Sequence, residues 1–332
     1  MLSLTPLLGQ TSPERVVPMP SRVDISVVAT LYRSAEFLEE FQRRVKAEVE
    51  RLTPSYEILL VNDGSPDQSL ELAVALHRSD PRVRVVDLSR NFGHHKAMMT
   101  GLRLSRGRRV FLIDSDLEEP PELLGEFHRH LAAEEADVVY GVQGTRKGGL
   151  LERVSGALFF RLFNLLSPTP LPANLSTVRL MTRRYVDALV EHREREMIIA
   201  GLWAITGFKQ VARPIQKGSR RATSYGFRQK LVHLVNSLTA FSDRPLVFIF
   251  YLGLSISMLA TVAAAYLVAR RLFFGVLLAG WPSLIVSVWL LGGLTLLSLG
   301  VIGMYVSKVF IETKQRPYTI VRETYDRTAE LD

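Results

Sequence analysis

The sequence predicts an α/β protein, a doubly wound and mostly parallel sheet followed by a two-helix membrane hairpin. Three observations predict it. Between residues 22 and 225, short apolar runs of strand length alternate with stretches whose apolar positions recur at helical spacing. Further on lie two uninterrupted apolar stretches, 246–268 and 284–306, each of about 23 residues and so long enough to span a bilayer at about 1.5 Å per residue. The apolar run Val110–Ile113 stops at Asp114-Ser115-Asp116-Leu117-Glu118-Glu119-Pro120-Pro121, a strand tip carrying acid. Its two prolines forbid further strand and suit the first turn of a helix.

Composition agrees with this division. The 332 residues are 47% hydrophobic yet 22% charged, so the two classes are segregated along the chain. Cysteine is absent, which excludes disulfides, thiolate catalysis and zinc–thiolate sites. A net charge of +8 admits nucleic acid, an anionic membrane or phosphorylated substrates as partners, and the placement of the charge has to choose.

Residues 1–21 hold four prolines and no sustained apolar segment, so a mobile N-terminal tail without a cleavable signal peptide is expected. Ile25–Thr30 reads as a buried strand, and Ala35–Leu52 as a helix with Phe37, Leu38, Phe41, Val45, Val49 and Leu52 on one face. Tyr56–Val61 is the next strand. It ends in Asn62-Asp63-Gly64-Ser65-Pro66-Asp67-Gln68, where Ser65, Pro66 and Gln68 spell a capping box for a helix over Leu70–Arg78. Val83–Leu88 follows as a strand, His94–Ser105 as a helix, Arg109–Ile113 as a strand, Glu122–Ala133 as a helix and Asp137–Gly141 as a strand. Within Gly149–Ser167, Leu151, Val154, Leu158, Phe159, Leu162, Phe163 and Leu166 share one side of a helix, which serves equally a membrane-surface helix or one packed on the core.

Between Met197 and Ser242 there is no acidic residue, while Lys209, Arg213, Lys217, Arg220, Arg221, Arg228 and Lys230 supply positive charge. This stretch leads through a juxtamembrane interfacial segment, 226–245, into the first apolar span. Arg270 and Arg271 sit between the spans, whereas Arg228, Lys230, Arg244, Lys308, Lys314, Arg316 and Arg322 flank their outer ends. The positive-inside rule therefore places both termini, and with them the α/β domain and a C-terminal tail, 307–332, in the cytoplasm. A basic segment held against a bilayer faces lipid phosphate and is poorly placed for a duplex, so nucleic acid is not expected as a partner.

Three strand ends carry candidate chemistry: Asp63, the run Arg90-Asn91-Phe92-Gly93-His94-His95, and Asp114/Asp116/Glu118. In an open α/β sheet ligands collect at the carboxyl ends of the strands, and hard cations take carboxylate oxygens together with substrate phosphates. Taken singly, each of these is equally a turn, a helix start or a set of carboxylates facing a helix dipole. Together they make a crevice for a nucleotide.

Val61-Asn62-Asp63-Gly64-Ser65, Leu88-Ser89-Arg90-Asn91-Phe92-Gly93-His94, Ile113-Asp114-Ser115-Asp116-Leu117-Glu118-Glu119-Pro120-Pro121-Glu122 and Lys314-Gln315-Arg316-Pro317-Tyr318 resemble the family-2 glycosyltransferases of the polyisoprenyl-phosphate type. The likeness covers nearly the whole chain after residue 22. It implies a GT-A catalytic domain that takes a UDP- or GDP-linked sugar and inverts at the anomeric carbon while loading a polyprenyl (undecaprenyl) phosphate for envelope glycan or glycolipid modification. It further implies that Asp63 contacts the nucleobase with Arg90 and Arg146 on the donor side, that Asp114 faces the ribose or sugar, and that Asp116 and Glu118 hold Mg2+ or Mn2+. Asp114, Asp116 and Arg179 would form the catalytic set, and Lys217, Arg220, Arg221, Ser224 and Tyr225 would bind the lipid phosphate. The setting implied is a multi-pass protein of the inner (cytoplasmic) membrane. Self-association is left open, with Gly292, Gly293, Gly300 and Gly303 offering small-residue surfaces.

Two departures stand out. Tyr32-Arg33-Ser34 replaces the family's Tyr-Asn-Glu, and Thr177-Val178-Arg179-Leu180 replaces Asp-Phe-Arg-Leu. They leave the donor and acceptor open, and with them two alternatives: a transferase that extends a lipid-linked glycan, and a non-catalytic nucleotide-sugar-binding scaffold.

Overall fold

The computed structural model describes residues 23–143, 175–195, 199–218, 244–274 and 280–327. The expected helix within Gly149–Ser167 lies outside them. In chain order the elements are β1 (Ile25–Leu31), α1 (Leu38–Glu50), β2 (Tyr56–Asn62), α2 (Ser69–Ser79), β3 (Val83–Leu88), α3 (His94–Leu104), β4 (Arg109–Leu112), α4 (Leu123–Ala133) and β5 (Val138–Gln143). Then come β6 (Leu175–Thr182), α5 (Arg183–Val190), α6 (Ile199–Ile205), β7 (Gln210–Ile215), α7 (Arg244–Phe274), α8 (Trp281–Thr313) and β8 (Val321–Tyr325).

Among the described residues the strands form one sheet in the order β7-β5-β6-β4-β1-β2-β3-β8. β1 pairs in parallel with β2 and β4, β2 with β3, and β5 with β7, whereas β6 and β8 run antiparallel to their neighbours. This is the mostly parallel, doubly wound architecture that the alternation of strand and helix predicts. The order of the parallel strands reverses between β1 and β4. Such a switch point opens a crevice at the carboxyl ends of the strands, and the acid of β4 arrives there.

β1, β2 and β3 are buried along their whole length because helices cover both faces. Leu38, Phe41, Val45 and Val49 of α1, with Leu124, Phe127 and Leu131 of α4, pack on one face against Ile25, Val27 and Ala29. Ala97, Met98 and Leu102 of α3, Tyr185 and Leu189 of α5, and Leu202 and Trp203 of α6 pack on the other against Val28, Leu59 and Val61. Side chains of this size contribute roughly 1.5–3 kcal/mol each when fully buried, and together they hold the strand tips in register.

Two expectations need correction. The capping box does not form, since α2 starts at Ser69 with no side-chain bond from its N-cap residue, Gln68. Asp67 organises the turn instead, accepting from Ser69 N (3.2 Å), Ser69 Oγ (2.6 Å), Ser65 Oγ (2.5 Å) and Ala35 N (3.2 Å). A carboxylate takes several donors at once where a serine hydroxyl serves one or two, so the acid wins the turn. The segment 307–332 is likewise not simply a tail. α8 continues to Thr313, Tyr318 buries itself beside Arg103 of α3, and 321–325 returns to the sheet as its edge strand β8. The strand is anchored by Asp326, which is paired with Arg84 (2.9 Å) and Arg106 (2.7 Å).

α7 and α8 have 31 and 33 residues and are long and apolar enough to cross a membrane. Their apolar side chains are exposed, with Phe248 at 65%, Leu259 at 70% and Trp289 at 79%, unlike those of a core helix in a soluble protein.

Candidate active site

The tips of β1 to β4 meet at the switch point. Ser115 donates its hydroxyl to the Thr30 carbonyl (2.8 Å) and lies 2.9 Å from Ser34 Oγ, which in turn accepts from Tyr32 N (3.1 Å). The altered Tyr32-Arg33-Ser34 thus stitches the tip of β1 to that of β4 through small hydroxyls. Ser34 itself is buried.

Asp63 is 2% exposed and accepts from the amides of Phe92 (2.7 Å) and Gly93 (3.0 Å), one on each oxygen. Burial pushes its carboxyl above the usual range, against the pull of those two amides. The immediate task of Asp63 is to clamp the loop that carries Arg90 and His94. Arg90 is exposed at the mouth of this loop, its guanidinium 4.1 Å from the centroid of the Phe92 ring.

His94 opens α3 and bridges two tips, with Nδ1 3.0 Å from Thr30 Oγ1 and Nε2 3.2 Å from Asp114 Oδ1. Burial pushes the imidazole down, but the carboxylates of Asp114, Asp63 and Asp116 more than reverse it, so its pKa is raised. Burial likewise pushes Asp114 up, and His94, Lys217 and Thr177 overcome it, so the carboxyl is held below its ordinary value. Asp114 therefore stays anionic within a cluster of acids.

The β4 tip turns through Leu117, whose φ of +58° is uncommon for a residue with a branched side chain. That turn directs Asp116 Oδ1 onto Glu118 N at 2.9 Å. Burial, with Asp114 and Glu118 nearby, raises the Asp116 carboxyl. Lys217 comes in from beyond β7. Its ammonium is 3.1 Å from Glu118 and 3.7 Å from Glu119, and the next residue, Gly218, donates its amide to the Glu118 carbonyl at 2.8 Å. Lys217, expected on the acceptor side, lies beside these carboxylates.

Arg179, expected in the catalytic set, lies deeper in the domain. It is 1% exposed, its guanidinium lies 3.0 Å from the centroid of the Trp203 ring, and it donates to the carbonyls of Thr177 and Ser176. Burial first, against nearby tyrosines and Glu119, lowers it to about 9. Its place between β4 and β5, covered by α6, explains why it is no exposed phosphate clamp. Arg146, Arg220, Arg221, Ser224 and Tyr225 lie outside the described residues.

Sequence reasoning missed Glu119. It is fully buried, hydrogen-bonded to the Ser176 hydroxyl, and pushed up to about 8, first by burial and then by Asp114 and Asp116 against Lys217 and Arg179. Its one signal in the sequence is an acid set directly against two prolines.

Asp67 supports the same tips from below, and its donors hold it down at about 2 against the effect of burial. Asp67→Ala is expected to cost about 1–2 kcal/mol near neutral pH, by loss of charge-assisted bonds at a helix start. Because the folded pKa lies below the unfolded value of about 3.9, this stabilisation is complete above pH ~4 and is lost as pH falls through ~2. Denaturant unfolding of the two chains should therefore converge in acid. A constant difference down to pH ~2 would refute the assignment.

The switch point of this open sheet thus gathers Asp63, Asp114, Asp116, Glu118 and Glu119 with Lys217 and His94 at the carboxyl ends of the strands, where open α/β sheets bind their ligands. Residues 26–190 match the model of glycosyl transferase family 2. A putative glycosyltransferase of Mycobacterium tuberculosis is 54% identical over 91% of this chain and 88% of its own length. The prophage bactoprenol glucosyl transferase homolog of Escherichia coli is 32% identical over 90% of this chain and 98% of its own length. The chain belongs to glycosyl transferase family 2. Among solved structures, the mannosyltransferase of Pyrobaculum calidifontis in complex with GDP-Man and Mn2+ is similar, with a TM-score of 0.47 at 18% identity over 92% of this chain and 90% of that one.

Proposed function

We propose that this glycosyltransferase moves a sugar from a UDP- or GDP-linked donor to a polyprenyl phosphate at the cytoplasmic face of a membrane. The observation that carries the reading is the meeting of Asp63, His94, Asp114, Asp116, Glu118 and Lys217 at one switch point, in a chain that also bears two exposed apolar helices long enough to cross a bilayer. The relatives named bactoprenol glucosyl transferase support the choice of acceptor.

Among the described residues no group of three carboxylates or histidines closes around a cation. In a transferase, Mg2+ or Mn2+ takes one or two carboxylates and completes its shell from substrate phosphates, and Asp116 and Glu118 stand side by side at the β4 tip, joined through the Glu118 amide. Asp116 and Glu118 would hold the ion, which when bound offsets the charge of the departing diphosphate. Lys217, beside Glu118, adds a fixed positive charge on that same side. Asp114, kept anionic by His94, would orient the ribose or the sugar.

The acceptor needs no general base. A phosphate monoester with a second pKa of about 6 is already anionic at neutral pH. Its oxygen attacks the anomeric carbon as the bond to the diphosphate breaks, which inverts the configuration. Arg220 and Arg221, from the basic segment before the first span, would hold the acceptor phosphate.

The test is a transfer assay on detergent-purified full-length protein with Mn2+, a panel of radiolabelled UDP- and GDP-sugars, and undecaprenyl phosphate. Metal-dependent passage of label into a mild-acid-labile lipid is the expected result. Donor binding without a lipid product would overturn the acceptor. In the same assay, Arg220→Gln with Arg221→Gln is expected to lower lipid product about tenfold or more while sparing donor hydrolysis. Equal loss of both activities would refute the acceptor role of the two arginines.

A further inference from the structure

β8 carries an irregularity whose position is informative. Val85, Val86 and Asp87 pair with Tyr325, Thr324 and Glu323, but Leu88 pairs with Val321, so Arg322 is the extra residue of a β-bulge. A bulge re-aims one side chain, and here it brings Arg322 to the tip of β3. Its Nη1 is 3.3 Å from Asp87 Oδ2 and its Nη2 donates to the Ser89 carbonyl at 2.6 Å.

Both partners lead into the donor side of the site. The Asp87 side chain is 3% exposed, and its other oxygen accepts from Asn62 Nδ2 at 2.8 Å across the β2–β3 ladder. Asn62 Oδ1 accepts the Ser65 amide (3.3 Å), and the next residue, Asp63, clamps the Phe92 and Gly93 amides. Ser89 begins the loop that those amides end, and its own N–H donates to the Ile320 carbonyl at 2.9 Å. Arg322 thus holds the Arg90 loop at its first residue. Through Asp87 and Asn62 it also holds the β2 tip that clamps the far end of that loop.

We infer that Arg322, contributed from beyond the two long helices, is a positioning residue for the nucleotide side of the site. Without it the Asp87 carboxylate is buried beside a neutral amide, and the Asn62 contact loosens to relieve that charge. The Arg322 side chain is 58% exposed, so its worth lies in geometry at the tip more than in bulk stability.

The inference rests on the donor reading above, and the full-length protein in detergent tests the two separately. UDP and GDP are titrated with Mn2+ by calorimetry, and amide hydrogen exchange is followed at Phe92 and Gly93 without nucleotide. Arg322→Gln is expected to weaken nucleotide binding about tenfold and to speed exchange at both amides, with little change in thermal midpoint. Arg322→Lys, which keeps a cation, should recover part of the binding. The double variant Asp87→Asn/Arg322→Gln, which removes the stranded charge, should bind more tightly than Arg322→Gln alone. Normal binding by Arg322→Gln, or a double variant weaker than the single one, overturns the role of Arg322. Failure of both Arg322 variants to fold overturns it in favour of a structural role. A wild-type chain that binds neither nucleotide overturns the donor reading itself, and the inference with it.

Discussion

Replacing Asp116 by alanine is expected to lower sugar transfer about a thousandfold or more while leaving the fold and the two long helices intact, because charge stabilisation at a leaving diphosphate is commonly worth that much. Asp116 is the more informative acid to remove. It is half-buried and accepts a hydrogen bond from the Glu118 amide, so truncation costs the fold on the order of 1 kcal/mol. Removing Asp114 would also strand His94 and mix a folding lesion with a catalytic one. Transfer and thermal unfolding are measured together on the purified chain. Undiminished transfer would sink the metal assignment, and a collapse in stability would make Asp116 a structural residue.

Gly64→Ala should be the most destabilising of single-methyl additions to the site. Gly64 has φ of +59°, and a Cβ there would lie 2.5 Å from Asn91 N and 2.6 Å from the Arg90 carbonyl carbon. Both are backbone atoms, so the tips of β2 and β3 must separate to admit the methyl group. A loss of about 2–4 kcal/mol and of nucleotide binding is expected. Gly93→Ala is the control. Its φ is +99°, but nothing lies within 4 Å of the new methyl, so only conformational strain of about 1–2 kcal/mol applies. If the two variants melt together, the close approach of the tips is not what holds them.

The central strands were legible because helices cover both of their faces, which leaves uninterrupted apolar runs such as Ile58–Val61. The acid tip was legible because carboxylates interrupting an apolar strand stand out. The outer strands carry no such pattern. Val321–Tyr325 reads Val-Arg-Glu-Thr-Tyr and is mostly exposed, since an edge strand is paired on one side only and can turn polar side chains to solvent. Gln210–Ile215 contains Pro214, tolerated because β7 forms the opposite edge. Charge sign misled for Arg179, whose burial depends on Trp203 coming to it from α6, a contact that no local spacing encodes. Glu119 was hidden for the same reason: its surroundings, Ser176 and Lys217, are distant in sequence.

The order in which the strands leave the ribosome has its own consequence. The chain makes β1 to β7, then both long helices, and only afterwards β8, which lies against β3. Throughout synthesis of the helices the β3 edge, with Val85, Val86 and Leu88 along it, has unpaired amides and carbonyls of the kind that recruit foreign strands. The nascent sheet therefore closes its edge last, after the apolar segments have been delivered, so a fault in placing those helices would also leave an adhesive edge on the catalytic domain.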